Sequence, residues 1–318
     1  MPAANSVNPI TFTPILKERI WGGTRIISHL GRPLPPECGR IGESWEVCDR
    51  TSDQSLIDHG PLEGTSLNDL WKHHRSTIFG KRTVRMPQQR FPLLFKILDA
   101  TDTLSVQVHP AENVSPHLHA EPKTEAWHLL DATPNACVYA GFRAPGLSKD
   151  SLRKHLKEGS FEALLNRIPV NTGDRLLIPS GRCHAIGAGC LIAEIQQNSD
   201  TTYRIFDWNR TDSDGRSRDL HVDQALDCID LDDVAPTLLP RDEPVISDFF
   251  RLETIRIPPN KEWKPPQDEF ALVHLIAGAI SQEGRHFSRG NTMLIPAALT
   301  EGLRTEEAPC IILQITLP

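Results

Sequence analysis

The sequence predicts a mainly β protein built of two jelly-roll units with a few short helices. Three observations lead there. Short apolar or alternating runs recur along the 318-residue chain, each bounded by Gly, Pro, Asp or Asn, as strands usually are. Pro (26) and Gly (20) are abundant, and Pro sits badly inside helices and central strands, so many short elements must be joined by loops. An internal echo completes the case: Gly173-Asp-Arg-Leu-Leu-Ile-Pro179 and Gly290-Asn-Thr-Met-Leu-Ile-Pro296 both read G-x-x-x-L-I-P. Two such segments over a hundred residues apart suggest two copies of one β unit.

Strands are expected over residues 91–98, 104–109, 137–142, 175–179, 191–196, 250–257, 270–276 and 310–316. Residues 93–97 and 104–108 flank Asp99-Ala100-Thr101-Asp102, which reads as a hairpin turn. A helix is expected over 67–79, capped by Thr65-Ser66, and a second over 148–165, divided by Gly159-Ser160. Residues 230–244 (DLDDVAPTLLPRDEP) are acidic and Pro-rich and read as a linker. The expected division is therefore a catalytic unit over 1–240 and a smaller β unit over 241–318.

Composition narrows the function. Lys plus Arg number 34 against 41 Asp plus Glu, a net charge of −7, which argues against nucleic acid as the main partner. The seven cysteines (Cys38, Cys48, Cys137, Cys183, Cys190, Cys228 and Cys310) are odd in number and form no CxxC pair. A disulfide framework or a cysteine zinc knuckle is therefore not expected, and reduced thiols of a cytoplasmic protein are. The N-terminal MPAANSVNPITFTP has no apolar core of signal-peptide length, and the longest apolar stretch, 270–280, is too short for a bilayer and contains His274. No membrane partner is expected. G-x-S-x-G, P-loop and dinucleotide-binding glycine signatures are all missing from the sequence, so serine hydrolysis, NTP hydrolysis and NAD chemistry have no support.

Chemistry concentrates in three segments. In Thr103-Leu-Ser-Val-Gln-Val-His-Pro110, strand alternation puts Ser105, Gln107 and His109 on one face and Leu104, Val106 and Val108 on the other. Buried polar groups need partners, and a metal is a good one; the plain alternative is a face turned to solvent. Lys123-Thr124-Glu125 follows, and Glu125 can offer a carboxylate oxygen or be a surface loop residue. Gly173 to His184 (GDRLLIPSGRCH) matches G-x5-P-x-G-x2-H, the second motif of the cupin fold, a small double-sheet jelly roll. There Gly173 turns into a strand, Pro179 ends it, and Gly181 allows the sharp turn that presents His184. Gln107, His109, Glu125 and His184 together offer an amide oxygen, two imidazoles and a carboxylate, a set that suits Zn²⁺ and equally Fe(II). The third segment, Leu191 to Arg210, alternates so that Ile192, Glu194 and Gln196 share a face. A carboxylate buried near a metal suits acid–base work, although a structural Glu would look the same. Arg204 and Arg210 suit phosphate oxygens, and Lys96 and Lys123 could add charge. His117 and His119 read as a solvated loop, His73 and His74 as surface, and His128 as packing. After Pro296 the C-terminal echo has Glu301 where His184 would stand, so a second metal site is not expected.

The segments FPLLFKILDATDTLSVQVHP, EPKTEAWHLLDA, GDRLLIPSGRCHAIG and LIAEIQQNSDTTYRIFDWNR, with ERIWGG and GESWEV before them, resemble the type I mannose-6-phosphate isomerases. The resemblance covers roughly residues 10–210, and the length is similar to the short bacterial branch. It implies one Zn²⁺ per chain on Gln107, His109, Glu125 and His184. It implies an active-site arginine at Arg204, an acidic strand residue at Glu194, and further pocket residues at Lys123, Lys96 and Ser105. Arg210 falls where a basic residue helps hold phosphate, and Trp21 on an aromatic near the pocket. The implied reaction is the interconversion of mannose 6-phosphate and fructose 6-phosphate, with zinc lowering the cost of an enediolate. Glu194, a lysine or a metal-bound hydroxide would move the proton between C2 and C1. Three departures stand out: residues 111–122, Cys183 before His184, and His128 where Tyr is common. Rival readings are a cupin isomerase of another sugar phosphate, an Fe(II) cupin oxygenase and a non-catalytic sugar-phosphate binder. The expected partner is a small sugar phosphate, and the expected state a monomer or homodimer.

Overall fold

A computed structural model describes residues 8–32, 39–211 and 215–318; Cys38 lies outside them. Four antiparallel sheets stack face to face. A six-stranded sheet runs Ile15–Gly23, Ile41–Val47, Leu93–Ala100, Cys190–Gln197, Glu125–Ala132, Arg175–Ile178. On one side it faces a five-stranded sheet of Tyr203–Phe206, Val106–Val108, His184–Ile186, Cys137–Phe142 and Leu165–Pro169. On the other it packs against a second six-stranded sheet: Ile10–Thr11, Thr292–Ile295, Ala271–Ala277, Cys310–Thr316, Arg251–Ile257, Val245–Ile246. Behind that lies a four-stranded sheet of Glu262–Trp263, Leu303–Thr305, Ala279–Gln282 and Arg285–Ser288. The protein is thus mainly β with two jelly-roll units, as the sequence predicts. Among the described residues, no helix is long and apolar enough to cross a membrane.

The first six-stranded sheet is buried on both faces, which explains its nearly unbroken apolar runs. Leu93, Phe95, Ile97, Leu191, Ala193 and Ile195 pack into a core shared with Leu252, Leu272, Leu294 and Leu313 of the second unit. The intervening residues Leu98, Cys190 and Ile192 join Trp127, Leu129, Val138 and Ile186 inside the first unit. Polar residues on that inner face, Lys96 and Glu194 among them, are therefore enclosed as well.

The helices follow their caps. Ser66 accepts from Asp69 N and starts Leu67–His73, which breaks at His74 and continues as a π turn over Arg75–Phe79. Ser148 and Ser151 form a reciprocal cap for Lys149–Lys157. Gly159, at φ 69°, ends that helix before the short turn Phe161–Leu164, so the division falls where the sequence places it. Trp71, Phe79, Phe91 and Phe270 meet edge-on at 5.0–5.6 Å, tying the helical segment to the second unit. The two echo segments are also equivalent in place. Gly173 (φ 89°) precedes Arg175–Ile178 and Gly290 (φ 87°) precedes Thr292–Ile295, so each strand is entered through a left-handed glycine.

Three expectations are corrected. Asp99–Asp102 is no hairpin turn: Leu93–Ala100 pairs with Ile41–Val47 and Cys190–Gln197, whereas Val106–Val108 belongs to the facing sheet. The chain crosses between sheets there because Asp99 is occupied by Arg25, Thr101 is tied to Trp21 O, and Leu104 N donates to Ile186 O. Since the strand starts only at Val106, Leu104 points into the unit while Val106 and Val108 point out of it. Residues 230–244 are a strap rather than a free linker. Val234 bridges Phe142, Leu239 bridges Arg175, Asp233 pairs with Arg182, and Pro240 O accepts from Arg175.

One buried network joins the two units. Glu46 takes both Arg32 nitrogens at 2.7 Å, and Thr292 donates to it at 2.9 Å. Thr292 also meets His274 Nδ1 at 2.9 Å. Burial pushes the His274 imidazole down to about 4, against the pull of Glu46. The unfolded chain would protonate this histidine near 6.5, so stability is lost as pH falls from 6.5 towards 4. Between pH 7 and 5 this residue should cost about 2 kcal/mol. Urea unfolding at both pH values should show that loss reduced in His274→Leu, and an identical loss in the variant would refute it.

Candidate active site

Two rungs of side chains face each other inside the first unit. In the five-stranded sheet, Ala140, His184, Gln107 and Arg204 lie in register across neighbouring strands. In the facing sheet, Trp45, Lys96, Glu194 and Trp127 do the same. Glu125 lies one alternation from Trp127 and so shares its face. The left-handed turn at Gly181 (φ 89°) lets its N–H bond His109 O at 2.9 Å, and this turn delivers His184 to the interior.

The sites of protonation follow from the backbone. His109 Nδ1 lies 2.8 Å from Thr201 O and His184 Nδ1 2.8 Å from Arg182 O. A carbonyl only accepts, so each Nδ1 carries the proton and each Nε2 turns a lone pair inward. Those two nitrogens stand 3.3 and 3.5 Å from the two oxygens of Glu125. Lys123 Nζ lies 2.7 Å from Glu125 Oε2 and 3.3 Å from His109 Nε2, while Glu125 Oε1 has no hydrogen-bond donor. His109, Glu125 and His184 offer ligand atoms all within 4.8 Å of one another, all three buried. Gln107 Nε2 is 3.2 Å from His184 Nε2. Turning that amide over brings its oxygen to the same place, giving two nitrogens and two oxygens, a set that fits Zn²⁺.

The charges interlock. Burial pushes the Glu125 carboxyl up, but the Lys123 ammonium beside it overcomes this and holds it well below the usual carboxylate range. Lys123, which burial alone would lower, is raised by Glu125 and Glu194. Burial drives His109 down to about 3 and lowers His184 too. Glu194 behaves oppositely: burial, then the nearby Glu125 charge, raise its carboxyl. Its Oε2 accepts from Trp127 Nε1 at 3.0 Å, while Oε1 faces Lys123 at 3.9 Å and Lys96 at 4.0 Å. Lys96 lies 4.7 Å above the Trp45 ring and 3.9 Å from Glu43.

The other expected residues are spread around this centre. Arg204, paired in strand register with Gln107, donates from Nε to Ser105 Oγ at 3.0 Å and from Nη1 to Asp219 O at 2.9 Å, which fixes its guanidinium. Arg210 is held by Asp207, Asp102 and Thr103 O, further along the same loop. Trp21 packs in the inner cluster with Leu98, Leu104 and Trp127. His73, His74, His117 and His119 are exposed, and His128 is buried on the strand face opposite Trp127, so all five match their plain readings. Glu301, the counterpart of His184, is exposed. Sequence reasoning missed Glu43, Trp45 and Trp127, whose alternation within GESWEV and EAWH was available. It also missed Thr201, whose contribution is a carbonyl and leaves no trace in side-chain chemistry.

Two facing sheets of a cupin-type jelly roll around an enclosed His/Glu/His cluster define the class: a β-sandwich protein with a candidate metal site. The comparisons agree on its membership. The catalytic-domain model of type I phosphomannose isomerases matches residues 10–128. Mannose-6-phosphate isomerase ManA of Bacillus subtilis is 36% identical over 96% of this chain and 99% of its own. A mannose-6-phosphate isomerase of Streptococcus mutans is 39% identical over 70% of this chain and 67% of its own. The crystal structure of the Bacillus subtilis mannose 6-phosphate isomerase superposes with a TM-score of 0.81 at 30% identity, covering 97% of this chain and 99% of that one. The chain belongs to the type I mannose-6-phosphate isomerase family.

Glu125→Gln leaves Lys123 buried without its 2.7 Å partner, facing only more distant carboxylates, Glu194 and Asp200. In the presence of chelator, this variant should unfold about 3 kcal/mol more easily than the parent in urea. An unchanged midpoint would show that the Glu125–Lys123 pair does not support the fold.

Proposed function

We propose that the chain interconverts mannose 6-phosphate and fructose 6-phosphate by moving a proton between C1 and C2 through an enediolate. The observation that carries this reading is a carboxyl raised by burial, Glu194, set beside the buried His109, Glu125 and His184 cluster with Gln107 at its edge, a set suited to a divalent metal. Family membership supports the substrate. Gln107, His109, Glu125 and His184 would hold one Zn²⁺, which when bound supplies Lewis acidity toward substrate oxygens.

The chain's own residues do the rest. Glu194 sits nearer neutrality than an exposed carboxylate, which suits a group that takes a proton from one carbon and returns it to the next. Trp127 occupies its Oε2, leaving Oε1 as the working oxygen. Lys123 and Lys96 flank that oxygen and would stabilise negative charge on the substrate. Arg204, braced by Ser105, would steady the developing oxyanion. Arg210 would hold phosphate at the rim, and Trp21 would wall the pocket. Residues 1–240 would carry the chemistry and 241–318 a supporting β unit. Six described cysteines, all free and buried, fit a reducing cytoplasm.

A coupled assay for fructose 6-phosphate formed from mannose 6-phosphate tests the reading. Activity should fall with chelator and return with zinc. Glu194→Gln should lower kcat by about 10²–10⁴-fold with zinc still bound. A zinc-loaded parent that turns over no mannose 6-phosphate overturns the substrate; oxygen uptake with Fe(II) would then favour an oxygenase. Arg204→Ala should lower kcat by about 10²-fold, and near-normal turnover would remove it from the mechanism.

A further inference from the structure

Glu125 has a cross-strand neighbour that the proposed chemistry does not use. Gln196 stands directly opposite it in the sheet and is fully buried. Its Nε2 donates to Ser199 O at 2.5 Å and to Gln197 O at 3.0 Å. Because both partners are carbonyls, the amide cannot be turned over, and Oε1 is left enclosed without a donor. A buried glutamine half satisfied in this way costs stability, so its two donated bonds need a purpose.

Those bonds fix a bend that reaches the candidate metal site. Ser199 Oγ donates to Glu121 O at 3.1 Å and accepts from Thr201 N at 3.2 Å. Thr201 Oγ1 in turn accepts from Glu121 N at 3.2 Å. At the near end of the bend, Thr124 N donates to Gln197 Oε1 at 2.9 Å, and Gln197 N donates to Thr124 O at 3.1 Å. The bend after Gln196 is thus sewn to the segment that carries Lys123 and Glu125. Its far end presents Thr201 O, the carbonyl that holds His109 Nδ1 at 2.8 Å. A carbonyl in that place fixes both the tautomer and the ring plane of a ligating imidazole.

We infer that Gln196 and Ser199 are positioning residues for the metal centre. They lock the 197–201 bend so that Thr201 O aims His109 Nε2 inward, and they anchor the adjoining 121–124 segment in the same step. The inference rests on the reading of His109, Glu125 and His184 as metal ligands. It adds that the geometry of the set is held by side chains that never touch the metal.

The test measures zinc affinity by competition with a chromophoric chelator on the full chain, together with the thermal midpoint of the metal-free protein. Gln196→Met keeps the side chain's bulk but has no donor. It should weaken zinc binding roughly 10- to 100-fold, the usual cost of losing a partner that orients a ligand. Ser199→Ala, a smaller change, tests the same bend should Gln196→Met not fold, and should weaken zinc about 5-fold or more. Gln282→Met is a matched control, since Gln282 is also buried and lies in the four-stranded sheet. It should leave zinc affinity within about twofold. Folded variants at Gln196 or Ser199 that bind zinc as tightly as the parent overturn the inference, and so does an equal loss in Gln282→Met. A parent that binds no zinc overturns the metal reading itself.

Discussion

Glu125 is a carboxylate with no exposed surface, and the first unit is arranged around keeping it charged. An ion of that size loses several kcal/mol when it leaves water, and only close opposite charge with good geometry offsets this. Lys123 supplies the charge at 2.7 Å. Two imidazoles, each with its outer nitrogen committed to a carbonyl, crowd the remaining space with lone pairs. Lys123 reaches only one side of this cluster of acceptors, and in the proposed reading a divalent cation would complete it. The same negative charge reaches Glu194 and helps raise its carboxyl. In the proposed reading one buried carboxylate would thus serve the metal ligands on one side and face the acid–base candidate Glu194 on the other.

That dependence gives the two carboxylates different roles on similar strands. Glu125 has a cation at contact distance, whereas the lysines nearest Glu194 stay at 3.9 and 4.0 Å. Environment thus separates a permanent anion from a carboxyl with raised proton affinity, the division of labour that the proposed function requires.

Much of this was legible in the sequence because it lies on regular strands. Strict alternation placed Gln107 with His109 and Glu194 with Gln196, and the expected strands at 137–142 and 310–316 coincide with those found. The glycines of the G-x5-P-x-G-x2-H run predicted their own turns, since a left-handed backbone is what glycine supplies at least cost. Legibility failed where tertiary contacts override local signals. The Asp99–Asp102 run has hairpin chemistry, yet Arg25, seventy-four residues earlier, takes the Asp99 carboxylate, and the chain crosses to the other sheet. The 230–244 segment has a linker's composition, yet its backbone bridges two strands. Thr201 acts through a carbonyl, which every residue has.

The strand Ile41–Val47 is buried along its whole length, and its two faces serve different halves of the molecule. Glu43 and Trp45 look toward Lys96, while Ser44 and Glu46 look toward Arg32, and Glu46 also meets Thr292 of the second unit. It is a party wall with furnished rooms on both sides. Inserting or deleting a single residue within it would move every later side chain to the other face, placing acids where hydrocarbon belongs and the reverse. Relatives of this chain should therefore vary in length at the loops on either side of the wall, while the count of residues within it stays fixed.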